Sequence, residues 1–437
     1  MTRQNATLPY RLRLVPLGIV TLMLAFSVMS YFDRTIMSIA GPGIIKEFAL
    51  SETQMGGVYS AFIFSYAILM IPGGRLADRF GPWRVLTGMG LGAALFTGLT
   101  AFGGRPGLGT VLGAAQSFIV IRLGFGVCTA PLYPSCGRMN ANWFSPGQRA
   151  RVWGVLAAGA GVGSATSPLL FSWMISRYGW RISFWLASMA TAALACVWLW
   201  YARDHPPEHP ALRHIKNPSL LWEREGERSK ALRGASWRNL FTNRNLMLLT
   251  SAYFTVAYFE YVFFYWIYYY LGEIRHVGAS ATATYTTIPF VAWTIGTPLG
   301  GWVSDRLVQR WGRKAGRRIV PLVCLTLSAI LLFVAINLAS PIAVVSVLSL
   351  SFGLASCTDG PFWACAIDVG GEHVGAAGAI LNTGGNLGGS LAPVLTPLIA
   401  SRAGWSWGLY VASLIMSLGV LAWFLIDPTR VIPAAGE

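Results

Sequence analysis

The sequence predicts an all-α membrane protein, and three observations carry that expectation. Hydrophobic residues make up 54% of the 437-residue chain and charged ones only 11%. With a mean hydropathy of +0.53, that balance is foreign to soluble globular domains. Apolar runs of roughly 20 residues, each able to cross a hydrocarbon core of ~30 Å as a helix, recur along the whole length. The short alternating segments of a membrane β-barrel do not occur in the pattern.

Twelve such runs follow one another. The first, 14–41, comes after a basic segment and has the look of a signal peptide. Asp33 and Arg34 near its end, and the lack of a small-x-small cleavage site, mark it as a retained helix. Runs at 52–72 and 83–103 flank the charged loop "GGRLADRFGPWRVL" (73–86), and 110–136 carries Arg122 in its middle. Run 150–176 contains the glycine-rich "GAGVGSATSP" (159–168), and 182–201 closes the first set of six. Residues 202–243 form the one long polar stretch, rich in Pro and charge, which reads as a solvated cytoplasmic linker rather than a regulatory domain. The second set runs through 245–271, 280–303, 319–338, 341–367, 374–400 and 405–426. The expected organisation is therefore a six-helix half at 1–201, the linker at 202–243, and a second half at 244–437.

The halves repeat. "GGWVSDRLVQRWGRK" (300–314) follows the eighth run as "GGRLADRFGPWRVL" follows the second, and "GGNLGGSLAP" (384–393) in the eleventh echoes "GAGVGSATSP" in the fifth. A dinucleotide site needs a strand before its glycines. Here Gly159, Gly161, Gly163, Gly384, Gly388 and Gly389 lie inside apolar helices, where small residues allow close helix contact. Asn382 and Asn386 share the eleventh helix, either as substrate hydrogen-bonding groups or as polar glue between helices.

A net charge of +16 raises the question of nucleic acid, and the location of the charge answers it. Of the 33 Lys and Arg, 24 fall in the N-terminus, the even-numbered loops or the C-terminus, and six fall in the odd-numbered loops. That asymmetry is the positive-inside rule with both termini cytoplasmic, so no nucleic-acid partner is expected. The six cysteines lie in apolar runs without C-x-x-C spacing and read as small packing residues. No nucleophile–base constellation or metal-ligand cluster is visible, so neither enzyme chemistry nor a cofactor is expected.

Charge in hydrocarbon is expensive, so each ionisable residue at depth should face a partner or a water-filled path. Asp33, Arg34, Arg122, Glu260 and Asp359 lie at depth, with Arg138 and Asp368 near helix ends. Neighbours on a helix point about 100° apart, so Asp33 and Arg34 cannot pair and each needs its own task. Salt bridges to other helices are the structural alternative, against which the cost of burial favours function. Glu260 lies in the aromatic stretch "YFTVAYFEYVFFYWIYYYLGE" (253–273), whose Tyr258, Tyr261, Tyr265, Trp266 and Tyr269 either pack, anchor at the interface or stack on a ligand ring. Asp359 precedes Gly360 and Pro361, where a kink is expected.

The loop at 73–86 and its copy at 300–314 resemble the signature of the major facilitator superfamily. Together with "SYFDRTIMSIAGPGI", "QMGGVYSAFIFSYAILMIPGG", "RLGFGVCTAPLYPSCGRMNANWF" and "NTGGNLGGSLAP", they resemble its anion:cation symporter branch, which holds bacterial hexuronate, galactonate and glucarate transporters and the sialin group. The resemblance covers nearly the whole chain. It implies twelve transmembrane helices in two pseudo-symmetric six-helix halves, and a monomer of the bacterial inner membrane that moves a small organic anion with protons by alternating access. It also implies that helices one, four, seven and ten line the path.

Residue by residue, Asp33 matches a proton carrier, Arg34 a group that holds a carboxylate, and Arg122 an arginine that binds anions or gates the nearby acid. Tyr66 matches a cavity tyrosine, a position that packing explains equally well. Asp78 with Arg79 and Arg84, mirrored by Asp305 with Arg306, Arg313 and Lys314, would clamp helix ends as a gate. Two positions depart from the pattern: Thr129 stands where relatives carry a glutamate, and Ala160 where they often carry a glutamine. Glu260 first, and Asp359 second, are the acids deep enough to relocate the missing proton site. Rival readings are an exporter or exchanger of an aromatic or zwitterionic carboxylate, and a transporter-derived membrane sensor signalling through 202–243.

Overall fold

In hydrocarbon, backbone N–H and C=O groups must bond within their own segment, so an apolar chain of this kind crosses as helix. The computed structural model describes residues 10–105, 112–144, 146–212, 237–370 and 374–430, and no strand occurs among them. The first helices are α1 (Tyr10–Phe48), α2 (Glu52–Phe80), α3 (Pro82–Thr100) and α4 (Ala114–Trp143). One continuous stretch, broken at Gly179, supplies α5 (146–178) and α6 (180–201). Helix α7 (Arg244–Ile274) ends in a π-turn from Tyr270. A second stretch broken at Gly312 supplies α8 (279–311) and α9 (313–336). Helices α10 (Pro341–Gly370), α11 (Val374–Ala403) and α12 (Trp405–Leu425) complete the bundle.

Eight stretches meet the length and hydropathy of a spanning helix outright; two of these contain the breaks, and α3 and α11 bring the described helices to the twelve expected. Helices overrun the apolar runs: α1 reaches Phe48 and α2 reaches Phe80, past runs that end at 41 and 72. Hydropathy marks the hydrocarbon, whereas a helix continues until a cap or a break stops it. At its start α2 has such a device, a capping box in which the Ser51 hydroxyl accepts from the Gln54 N–H at 3.1 Å and Gln54 Oε1 accepts from the Ser51 N–H at 2.8 Å.

The sequence repeat is visible in the backbone. Gly81 (φ 85°) ends α2 as Gly312 (φ 78°) ends α8, and Gly179 (φ 78°) ends α5 as Gly404 (φ 92°) ends α11. Each takes a conformation that glycine enters without steric cost. Helix α4 breaks between Thr129 and Leu132, and α10 breaks between Ser356 and Asp359. The expected kink at Gly360–Pro361 is this break. Because helix resumes at Asp359, Pro361 falls in a first turn, where its missing N–H removes no helical bond.

Glycine contacts repeat as well. Added β-carbons at Gly159 and Gly163 of α5 would collide with Leu24 and Val28 of α1, and those at Gly384 and Gly388 of α11 with Thr250 and Phe254 of α7. Gly161 instead faces Thr294 of α8, and Gly389 faces the Tyr261 ring. These six glycines are helix contacts, as the sequence predicted. Between the halves, α2 packs on α11, α5 on α8, and α1 on α7. Of the linker, described residues form two short turns, Pro206–Glu208 and Pro210–Leu212, and a short helix, Trp237–Thr242; residues 213–236 lie outside the description.

One end of the bundle is sealed across the halves. Lys46 of α1 bridges Glu273 of α7 at 2.9 Å. Glu52 of α2 accepts hydrogen bonds from the Tyr269 hydroxyl at 2.6 Å and the Trp405 indole at 3.4 Å. Deeper in, Tyr59 stacks on Tyr265 with ring centroids 4.8 Å apart and meets Trp266 edge-on at 5.4 Å. At the opposite end the described ion pairs stay within one half: Arg138–Asp78 at 3.7 Å, Arg317–Asp305 at 2.6 Å, Arg317–Asp368 at 3.4 Å and Lys314–Asp427 at 3.1 Å. Asp427 lies just past α12, and hydrogen bonding from Thr429 chiefly, with Lys314 beside it, holds its carboxyl down to about 2.

Three outcomes are expected. Gly300 of α8 lies against the Cys357 backbone, so Gly300→Val should destabilise the detergent-purified protein by ~1–3 kcal/mol through overpacking. Gly154→Ala, which meets no atom within 4 Å, should leave thermal unfolding unchanged or slightly raised. Removing the seal with Lys46→Ala and Glu52→Ala loses an exposed ion pair of ~0.2–1 kcal/mol and the part-buried bonds to the Glu52 carboxylate, each ~1.5–3 kcal/mol at most. Spin labels at Ala49→Cys and Ala279→Cys, in a background without native cysteines, should then show a longer-distance population. An unchanged distance distribution would show that these bonds do not hold the end shut.

Candidate functional site

The five ionisable residues at depth divide between two clusters of opposite sign. On α1, Asp33 and Arg34 point apart as helix geometry requires. Asp33, 1% exposed, turns to α6, where its Oδ2 accepts from the Thr191 hydroxyl at 3.0 Å and its Oδ1 has no partner. Arg34, 5% exposed, turns to α2. Its guanidinium carbon lies 4.4 Å from the centre of the Tyr66 ring, 5.1 Å from Phe62 and 4.8 Å from Tyr31, while Nε and Nη2 have no hydrogen-bond partner. Aromatic faces attract a cation but do not neutralise it.

Arg122 of α4, 1% exposed, donates from Nη2 to the Arg34 carbonyl at 3.3 Å and lies over Phe125 (5.2 Å) and Phe62 (5.6 Å). Its Nε has no partner. Asp33 is the carboxylate within electrostatic reach of it, beyond ion-pair distance. Among the described residues neither Arg34 nor Arg122 forms a salt bridge. Thr129, where the resemblance implies an acid, spends its hydroxyl on the Phe125 carbonyl of its own helix at 2.8 Å.

Across the centre, Glu260 of α7 accepts from the Trp293 indole of α8 at 3.1 Å. Asp359, at the restart of α10, lies within electrostatic reach of Glu260 and is flanked by Thr297 and Tyr253; its Oδ1 has no partner. Tyr31 stands between the clusters, with its ring centre 6.3 Å from that of Trp293 and 6.0 Å from that of Phe264. Asn386 accepts from the Tyr261 hydroxyl at 3.2 Å and donates to Asn382 Oδ1 at 3.1 Å, and Asn382 donates to the Met70 sulfur at 2.9 Å. The asparagines therefore join α7, α11 and α2.

The loop charges pair differently from expectation. Asp78 meets Arg138 near the end of α4 rather than Arg79 or Arg84; Arg79 lies over the Phe80 ring at 5.3 Å, and Arg84 is exposed and forms no ion pair among the described residues. Asp305 meets Arg317 rather than Arg306, Arg313 or Lys314; Arg306 lies over Trp302 at 4.7 Å. Adjacent residues on a helix end point away from one another, so the partner comes from the next helix in space.

Several contributing groups escaped the sequence reading: Thr191 beside Asp33, Tyr31 between the clusters, Trp293 on Glu260, and Glu52 in the seal. For α7 a signal existed, since Tyr258, Tyr261, Tyr265 and Tyr269 recur at three- and four-residue spacing along one face. Tyr261 turns to the site and Tyr265 and Tyr269 to the seal, while Tyr258 pairs with Thr396 at 3.5 Å.

Comparison with known proteins agrees with this architecture. The chain is 28% identical over 423 residues to a probable sulfoacetate transporter of Cupriavidus necator, covering 96% of this chain and 95% of that protein. It is 29% identical to a hexuronate transporter of Bacillus subtilis, covering 89% of each, and 27% identical to a D-galactonate transporter of Escherichia coli, covering 97% of each. These relatives match the anion:cation symporter branch that the motifs resemble. Among solved structures, a bacterial homolog of the human lysosomal transporter Spinster superposes with a TM-score of 0.77 at 14% identity, covering 94% of this chain and 97% of that one. The xylose transporter of E. coli superposes with a TM-score of 0.74 at 14% identity, covering 97% of each. The model of the Major Facilitator Superfamily matches residues 23–374 and 307–436, and with twelve helices in two repeated halves around a buried charged centre, this multi-pass membrane protein belongs to that superfamily of transporters.

Proposed function

We propose that the chain is a proton-coupled transporter of a small organic anion in the bacterial inner membrane, with both termini cytoplasmic. One observation carries the reading: two guanidiniums are buried inside the bundle with unpartnered nitrogens and, among the described residues, no carboxylate at ion-pair distance. Leaving a buried charge uncompensated is costly, and an acid group of the cargo, bound bidentately by Arg34 with Arg122 behind it, supplies the missing compensation. The names of the relatives, which concern sulfoacetate, hexuronate and galactonate, fit acids of this size.

Asp33 supplies the coupling. Ionised, it acts electrostatically on Arg122; protonated at the unpartnered Oδ1, it leaves Arg122 in need of an anion. Proton and acid thus favour each other's binding, as symport requires. The halves at 1–201 and 244–437 rock about this centre, joined by 202–243. Lys46, Glu52, Tyr269 and Glu273 hold the periplasmic side shut in the present state, and Asp78 and Asp305 brace the cytoplasmic helix ends within each half. Tyr66 supports the Arg34 guanidinium face, and Asn382 and Asn386 offer further polar contacts near it.

Asp33→Asn should abolish accumulation driven by an inward proton gradient in proteoliposomes while equilibrium binding survives; gradient-driven uptake at the wild-type rate would remove Asp33 from the mechanism. Arg34→Gln should weaken binding of an acid by ~2–5 kcal/mol, with incomplete rescue by Lys because the planar fork is lost. An amide analogue bound as tightly as the acid by the wild type would contradict a site built for an anion.

A further inference from the structure

Two carboxylates opposite the guanidiniums need no place in an anion site. Glu260 is 7% exposed and Asp359 is half-buried, and among the described residues neither forms a salt bridge. Local structure explains their orientation. The Trp293 indole holds Glu260, and the first turn of a restarted helix favours a negative charge at Asp359. Neither device neutralises the pair, and two neighbouring carboxylates in hydrocarbon repel. Asp359 Oδ1 is left without a partner.

The opposite charges stand near one another without pairing. Tyr31 is within electrostatic reach of Arg34, Glu260 and Asp359 alike. Its ring carries the Arg34 guanidinium at 4.8 Å and meets Trp293, the donor to Glu260, at 6.3 Å. Were both clusters kept for stability alone, direct pairing would lower their cost. They are instead spaced by an aromatic ring, with Arg34 Nε and Nη2 free on one side and Asp359 Oδ1 free on the other. That arrangement complements a molecule with an acid at one end and a cation at the other. Ammonium suits the second end: it has the charge the pair lacks and N–H donors for Oδ1, and aromatic faces attract it.

We infer that the cargo is a zwitterion, its acid group on Arg34 and Arg122 and its ammonium group between Glu260 and Asp359, against the rings of Tyr31, Trp293 and Tyr253. The inference rests on the proposed anion site and names the rest of the molecule that fills it. A bound ammonium and a bound proton are alternatives at the pair, so a zwitterion binds its deprotonated form.

The test uses purified full-length protein and isothermal titration with matched probes: γ-aminobutyrate against 4-hydroxybutyrate, 4-(aminomethyl)benzoate against 4-(hydroxymethyl)benzoate, and phenylalanine against phenyllactate. At least one amino compound should bind the wild type about tenfold or more tightly than its hydroxy partner. Asp359→Asn and the double variant with Glu260→Gln should erase that preference, while Arg34→Gln weakens both members of the pair. Because Asp359→Asn and Glu260→Gln keep side-chain shape and relieve the repulsion, melting temperatures at or above that of the wild type accompany the expected result. No preference for any amino compound, including no binding by any probe, overturns the inference, as does a preference that survives loss of both carboxylates. Hydroxy acids whose binding depends on Arg34, with no amino preference, would leave the anion site standing and remove only the zwitterion. Amino binding indifferent to Arg34→Gln would overturn both.

Discussion

Two guanidinium groups lie in the middle of this bundle with aromatic rings and one backbone carbonyl for company and, among the described residues, no carboxylate at ion-pair distance. Charge at this depth costs several kcal/mol or more unless it is compensated, so the surroundings have to tolerate it. Cation–π contacts from Tyr31, Phe62 and Tyr66 do part of this. The remainder of the architecture serves to keep these two groups dry and in place: α1 and α4 are tied by the bond from Arg122 to the Arg34 carbonyl, and α1 is pressed onto α5 by glycines that admit no side chain.

The duplicated framework and the unduplicated chemistry divide the labour. Breaks, positive-φ glycines and glycine-lined contacts recur at equivalent places in both halves. The charges do not: cations and Asp33 belong to the first half, and Glu260 and Asp359 to the second. In the proposed cycle a molecule at the centre would touch both halves with opposite polarity, and rocking of one half against the other would change the separation of the two charge sets. At the sealed end, Lys46–Glu273 and the bonds to Glu52 are exposed or part-buried, so they break and re-form at modest cost.

Helix existence was legible because hydropathy over roughly 20 residues reports the bilayer directly, and the repeat was legible because backbone geometry constrains which residues serve at turns and close contacts. The divergence of Asp33 from Arg34 followed from 100° per residue alone. Partners were not legible. Arg138 for Asp78, Arg317 for Asp305 and Thr191 for Asp33 come from other helices, and helix neighbours in space leave no local trace in sequence. Tyr31 carries no sequence signal, because one tyrosine in an apolar run is ordinary until its ring stands between opposite charges. Helix ends were displaced outward because caps and glycines, rather than hydrophobicity, stop a helix.

The central claim is that the free nitrogens of Arg34 await an acid from outside the chain. An experimental structure determined with a bound carboxylate or sulfonate tests it directly. The account predicts acid oxygens on Arg34 Nε and Nη2, with the Tyr66 ring still beneath the guanidinium. An acid bound elsewhere, or an Arg34 side chain swung across to pair with Glu260 or Asp359, would contradict it.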